Sequence, residues 1–477
     1  MHAPGRLSHR VKIAYGFGLS AEGIKTNAFT LFLLFYYQQI VGLDPGLCGV
    51  ALFIALLIDA VTDPAVGVWS DGLRSRLGRR HPFMYAAGLP LAVCFVAVFL
   101  PPRGLSQVGL FVWLLGFASA TRFAMTLFAI PHQALVAELT QDYDERTSLQ
   151  TLRLVFAWLF GLGYAILAYA VFLRATPRYP QGLLNPEGYV GFAVWGAVIM
   201  VVTTLVSALG TQRAALQAQV ADDRIQPVRL RSLPRDMRAA LGSPSYRAAV
   251  VGGLCLWVSF GVNQNLGNYL NTFFWGFSSE QITLFMFVLI ASSVLALVVT
   301  RPLTERLGKK RLILATAVAA PLILATLIFV RLAGLLPGGG EPMLVWVVGG
   351  TIFVSYTAII ISMTMVGSMI ADVTDEHELR VGTRQEGLLF AANAFISKAS
   401  SGLGVLVSGF VIKLAAFPAG ATLGSVAPEV VHRLGLFSAL VTLLFGVGMV
   451  LGFLPYRLSR ERHAAIVNEL RQLRESA

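Results

Sequence analysis

The sequence predicts an all-α polytopic membrane protein, with twelve transmembrane helices in two pseudo-symmetric six-helix bundles. Three observations carry this. Of 477 residues, 56% are hydrophobic and 13% charged, about half the charged share of a soluble domain. The apolar residues gather in runs of about 20 or more, the length that crosses a bilayer. Loop motifs then recur between the two halves of the chain. A soluble enzyme with a peripheral anchor is excluded. So is a β-barrel, whose strands are about 10 residues long and alternate apolar with polar.

Taken in order, runs able to span fall near 13–41, 47–70, 83–100, 108–136, 152–173 and 189–210. A second set falls near 246–275, 279–304, 311–333, 343–370, 386–414 and 430–455. The first run has no short apolar region with an Ala-x-Ala cleavage site, so it is read as a retained helix. Between the two sets lies 211–245, with Arg213, Arg224, Arg229, Arg231, Arg235, Arg238, Pro227 and Pro234, which reads as a cytoplasmic linker. The expected organisation is a bundle over 1–210, the linker, a bundle over 246–455 and a cytoplasmic tail over 456–477.

The formal charge of +12 would suggest nucleic acid in a soluble protein. Here the basic residues cluster between apolar runs, so they set topology and no nucleic-acid partner is expected. On one side of the membrane fall 27 Lys and Arg; the other side holds Arg103, Arg174, Arg178, Arg331 and Arg433. The positive-inside rule places both termini in the cytoplasm, in a cell inner (plasma) membrane. Cys48, Cys94 and Cys255 lie in apolar runs without metal-ligand spacing and read as small buried side chains.

Sliding the chain on itself by 230 residues lays Arg76-Leu77-Gly78-Arg79-Arg80 over Arg306-Leu307-Gly308-Lys309-Lys310. An offset of 234 lays Ala137-Glu138-Leu139-Thr140 over Ala371-Asp372-Val373-Thr374. Two matches at nearly one offset, in equivalent loops, indicate an internal duplication. Parallel six-helix repeats that rock about a midplane site are the architecture of secondary transporters.

Charged residues within spans mark ion or substrate paths, since each costs at least about 2.5 kcal/mol to insert. Asp59 and Asp63 are four apart in the second span, on one helix face and about 6 Å apart. Such a pair is strained unless a cation or proton sits with it. Hard oxygen ligands suit Na⁺ or H⁺, and Thr62 adds a neutral oxygen. The alternative is that the acids only brace the loop below. Against it, the 230-residue offset puts Leu289 and Ser293 at the equivalent positions.

Lys398 lies about 18 Å into the eleventh span from Glu386, at a depth similar to Asp59, where an ammonium can compensate the acids when no cation is bound. Glu22 and Lys25 can pair on the first span or face a substrate. Arg122 in the fourth span must meet an anion, carbonyls or a wet cavity. Arg153 lies near the start of the fifth span, and His132 reads more readily as a helix-contact histidine than as a proton relay. The loop from Gly67 to Pro82 brings Asp71 close to Arg79 and Arg80, a conformational latch in which an acid pairs in one state and releases in another. No nucleotide-binding or metalloprotease motif is present. The expectation is therefore a transporter without cofactor, driven by an ion gradient, and not an enzyme.

These residues resemble the major facilitator superfamily, and within it the glycoside-pentoside-hexuronide:cation symporters, the group of melibiose permease. The resemblance rests on Tyr15-Gly16-Phe17-Gly18, Phe35-Tyr36-Tyr37, Asp59-x-x-x-Asp63-Pro64-x-x-Gly67-x-x-x-Asp71 and Gly78-Arg79-Arg80. It continues through Ile130-Pro131, Ala371-Asp372-Val373-x-Asp375 and Gly382-x-Arg384-x-Glu386-Gly387. It implies that Asp59 and Asp63 hold the coupling cation, with Thr62 and Thr126 as neighbouring oxygen ligands and Lys398 near the site. It implies that Arg153 lines the substrate cavity, and that Asp372 and Arg384 join the latch. The sequence departs from the group where sugar-binding aspartates are expected, at Gly23 and Ala129, and Gln133 stands at a tryptophan position.

The expected function is cation-coupled symport of a sugar, glycoside or sugar acid, with Lys25, Arg122, Arg153, Gln133 and Glu22 as substrate residues. A lysolipid-like amphiphile or other non-sugar anion is the alternative cargo. The expected partners are a small-molecule substrate and the lipid bilayer, and the expected state is a monomer.

Overall fold

A computed structural model describes residues 7–140, 142–219, 243–381, 386–458 and 460–476. Its elements are helices, with no β-strand among the described residues. Helix α1 covers 9–41, as α-helix over His9–Gly18 and Ser20–Asn27 and then as π-turns over Ala28–Leu33 and Tyr36–Val41. It stops at Gly42, whose φ of 86° is readily adopted only without a side chain. Five helices follow in the first half: α2 Pro45–Gly72, α3 His81–Phe99, α4 Gln107–Leu139, α5 Tyr143–Leu167 running on as Ala168–Phe172, and α6 Pro186–Gln219.

The second half repeats the plan with α7 Pro244–Tyr269 running on as Leu270–Phe274, α8 Ser279–Leu307, α9 Lys309–Leu332, α10 Pro342–Val381, α11 Glu386–Leu414 and α12 Pro428–Phe453. Eleven of these helices are long and apolar enough to cross a membrane as single elements. The twelfth span is α1, which its π-turns divide. Helix starts carry local signals: Asp44, Ser106, Asp142 and Ser243 each accept a hydrogen bond from the backbone N–H three residues on. Proline follows Asp44 and Ser243 at the first helical position.

The chain divides into two compact units, one made mainly of α1–α6 and the other mainly of α7–α12. In the first, α1 packs on α5 and α6, and α3 packs on α4 and α6. In the second, the same pairings recur as α7 on α11 and α12, and α9 on α10 and α12. A close backbone approach recurs too. A Cβ on Gly161 of α5 would lie 3.0 Å from the Gly23 carbonyl oxygen of α1, and a Cβ on Gly404 of α11 would lie 2.9 Å from the Gly261 Cα of α7. Glycine at both crossings lets the helices close without side-chain spacers, the usual device where lipid offers no hydrophobic drive to associate.

The tail, whose conformation the sequence reading left open, is largely helical. Residues Arg460–Ser476 form a further helix, α13, which packs on α10. Ile466 and Leu470, one turn apart, are buried in the second unit's core with Ile370, Val373, Tyr456 and Leu458. The expected linker and the latch residue Arg384 lie wholly or largely outside the described residues.

Candidate functional site

Helices α2 and α4 of the first unit pack together, and each presents two polar side chains one turn apart: Asp59 and Asp63 on α2, Arg122 and Thr126 on α4. The Thr126 hydroxyl lies 3.0 Å from Asp59 Oδ1 and 2.9 Å from Asp63 Oδ1. A hydroxyl has one proton to donate. It can serve one carboxylate at a time. Two carboxylate oxygens, each about 3 Å from one hydroxyl oxygen, form a cluster of hard oxygen donors. Asp59 and Thr126 are each 4% exposed, whereas Asp63 is half-buried. Pro64 follows directly, and its missing N–H leaves the Ala60 carbonyl without its helical donor.

Arg122 Nη1 stands 3.7 Å from Asp59 Oδ2, an ion pair longer than a hydrogen bond. Its guanidinium also lies over the Phe29 ring, 5.3 Å from the centroid. Its Nε is buried with no hydrogen-bond partner. Thr62 turns elsewhere and donates to the Asp59 backbone carbonyl at 3.1 Å.

The other expected substrate residues are distributed as follows. Lys25 is 4% exposed and donates to Glu22 Oε1 at 2.9 Å, which also accepts from Thr26 at 3.2 Å. The charge of Lys25 is thus spent within α1. Arg153 reaches Gln150 at 3.1 Å and Gln133 at 3.3 Å, joining α5 to α4. His132 is fully buried, stacked on Tyr15, and donates from Nε2 to the Tyr15 carbonyl at 2.8 Å. Gly23 has no room for a side chain, because its Cβ would fall 2.0 Å from the Ala157 carbonyl oxygen. In the second unit, Lys398 sits half-buried in α11 beside Ser397, and Ser400 is buried on the next turn.

The residues expected to form the latch, Arg384 aside, fall in one cluster in each unit. Arg80 is buried and reaches Asp71 at 2.5 Å, Ser70 Oγ at 2.8 Å and Glu138 Oε1 at 3.1 Å. Arg79 lies 3.6 Å from the same Glu138 oxygen. In the second unit Lys309 binds both oxygens of Asp372, at 2.7 and 2.8 Å. Arg79 and Lys309, and likewise Glu138 and Asp372, are the residues that the two sequence offsets superpose. The second cluster has an addition that sequence reading missed. Tyr456 donates to Asp372 at 3.4 Å, and His463 of α13 lies 3.0 Å from Asp375 and 3.6 Å from Asp372. Burial, and then the neighbouring Asp372 charge, push the Tyr456 phenol well above its usual range, so it stays a donor.

Among the described residues, no group of three or more His, Cys, Asp or Glu could hold a metal ion. The family model described as MFS/sugar transport protein matches residues 14–460. The chain is 23% identical to a putative glycoside/cation symporter, YagG, of Escherichia coli, covering 98% of this chain and 95% of that one. It is also 23% identical to the sodium-dependent lysophosphatidylcholine symporter 1-A of Danio rerio, over 94% of this chain and 86% of that one. The crystal structure of the nucleoside transporter NupG shares its fold, with a TM-score of 0.63 and 14% identity over 93% of this chain and 98% of that one.

Proposed function

Because the chain belongs to the MFS/sugar transport protein family, and is therefore a multi-pass membrane transporter rather than an enzyme, we propose that it couples a cation gradient to symport of a sugar, glycoside or sugar acid. The observation that carries this reading is the Thr126 hydroxyl set between Asp59 and Asp63. Two carboxylates so close favour the bound form of a monovalent cation or proton, and releasing that ion restores their repulsion. Alternating access converts this cost into directed movement when ion and substrate cross together. Lys398 is the proposed counter-charge on α11. The latch clusters hold each unit's loops while the bundles exchange states. The protein resides in the cell inner membrane with both termini cytoplasmic.

The substrate side departs from a neutral-galactoside site. A sugar-binding acid at position 23 would need the space that the Ala157 carbonyl occupies. The similarity to a lysophosphatidylcholine symporter supports a second reading, in which the cargo is a lysolipid-like amphiphile. A ligand-stability screen of purified protein tests both: sugars, sugar acids and lysolipids, each with Na⁺, with choline, and at acidic pH. Cation-dependent stabilisation by a sugar or sugar acid is the expected result. Stabilisation by lysolipids alone would replace the sugar reading with the second one. No cation dependence with any ligand would remove coupling.

A further inference from the structure

Arg122, beside the acid pair, has hydrogen-bonding capacity that is visibly unspent. A guanidinium carries five N–H donors. Here one nitrogen makes an ion pair of 3.7 Å with Asp59, and the buried Nε makes no hydrogen bond. The side chain is only 11% exposed, so water from a bulk interface does not readily fill those positions. Buried donors left without partners are rare, and each calls for an explanation. The nearby acid Glu22 is already engaged by Lys25 and Thr26. Asp59, for its part, contacts both Arg122 and the Thr126 hydroxyl.

We propose that Arg122 is a switchable counter-ion, which rests on Asp59 when no cation is bound and turns its donors to a carboxylate or phosphate group of the substrate when a cation takes Asp59 and Asp63. This rests on the reading of Asp59 and Asp63 as the coupling-ion site. The physical basis is competition. A cation on the acids supplies the charge that Arg122 otherwise supplies, so the hold on the guanidinium weakens as the ion arrives. A planar fork released in this way matches a carboxylate or phosphate in two parallel hydrogen bonds. Linkage makes the effect reciprocal: an anion that draws Arg122 from Asp59 raises cation affinity by the same factor. Coupling would then need no long-range path, since Arg122 and Thr126 stand one turn apart on α4 and both touch Asp59.

The test uses full-length protein in lipid nanodiscs and two matched ligand pairs. One pair is 4-nitrophenyl glucuronide and 4-nitrophenyl glucoside; the other is lysophosphatidylglycerol and monoacylglycerol, so a carboxylated sugar and a phosphate-bearing lipid are distinguished. Affinity is measured with Na⁺, with choline, and at acidic pH. In the wild type, the activating cation should tighten the anionic member of one pair about 10-fold, within the usual range of such couplings, and the neutral member less than about 2-fold. Arg122→Gln should bind both members equally and should bind the cation alone about 10-fold more tightly, because the resident competitor is gone. Asp59→Asn gives an independent readout if Arg122→Gln does not fold. With its partner neutral, Arg122 is already released, and the anionic ligand should bind without cation as tightly as to the cation-loaded wild type. An anion preference that survives Arg122→Gln, or anion affinity lost in Asp59→Asn, overturns the proposal while leaving the coupling reading intact. Absence of any cation–ligand linkage in the wild type overturns both.

Discussion

Thr126 Oγ1 lies 2.9 Å from Asp63 Oδ1 across the contact of α4 with α2. The same oxygen is 3.0 Å from Asp59, so a single hydroxyl sets the spacing of two carboxylates. Thr126→Ala should remove one oxygen from the ion's surroundings and one donor from the pair. A hydrogen bond to a charged group is worth about 1.5–3 kcal/mol, so the cation concentration for half-maximal activation should rise at least about 10-fold. Thr126→Ser should keep most of the affinity. Cation titration of ligand binding checks both, and an unchanged titration in Thr126→Ala would remove Thr126 from the site.

Gly23 and Ala157 make the second prediction. A Cβ at position 23 would fall 2.0 Å from the Ala157 carbonyl oxygen, which belongs to backbone and cannot rotate away. Gly23→Ala should therefore separate α1 from α5 and lower stability by about 1–3 kcal/mol, the usual cost of overpacking. Gly23→Asp should not create a galactoside site. Thermal unfolding in detergent reads the first, and galactoside binding reads the second. Wild-type stability in Gly23→Ala would show that the crossing is looser than the geometry states.

The latch of the first unit distinguishes two adjacent arginines. Arg80 is buried with three partners, whereas Arg79 is a quarter exposed with one distant acid. Breaking a buried pair costs about 3–5 kcal/mol because the remaining charge is uncompensated, and an exposed pair is worth about 0–1 kcal/mol. Arg80→Ala should accordingly lower the unfolding temperature clearly, and Arg79→Ala little. Equal effects of the two substitutions would contradict the assignment.

The tail helix supplies a prediction for the second unit. Ile466 is 1% exposed within the core that holds Ile370 and Val373. Ile466→Asp should place an unpaired carboxylate there and release α13 from α10, at a cost of several kcal/mol. Faster proteolysis of the tail should accompany it. Retained protection would mean that α13 is held by its His463 contacts alone.

How much of this was legible in the sequence depends on the kind of signal. Spans were, because about 20 apolar residues in a row have one stable fate in a bilayer. The π-turns of α1 were not: Ala28–Leu33 and Tyr36–Val41 are apolar and polar stretches that read as ordinary helix, with no local signal for a wider turn. Helix α13 was missed because Ile466 and Leu470 form a narrow apolar stripe in a charged segment, invisible to a search for spanning runs. The acid pair was legible from its spacing of four. Thr126 entered only through resemblance, since nothing local ties it to residues more than sixty positions earlier. The Arg122–Asp59 pairing was open, because sequence gives a residue's depth in a helix but not the partner across the gap. Lys25 had two readings, and proximity to Glu22 at three residues favours the pair that the structure contains.

The central claim is that Asp59 and Asp63 bind the coupling ion. Its most direct test is uphill uptake, in proteoliposomes with an imposed Na⁺ or proton gradient, of whichever compound the stability screen retains. Wild type should accumulate the compound above its external concentration. Asp63→Asn should bring it only to equilibrium while still exchanging it across the membrane. Undiminished uphill accumulation in both Asp59→Asn and Asp63→Asn would contradict the account.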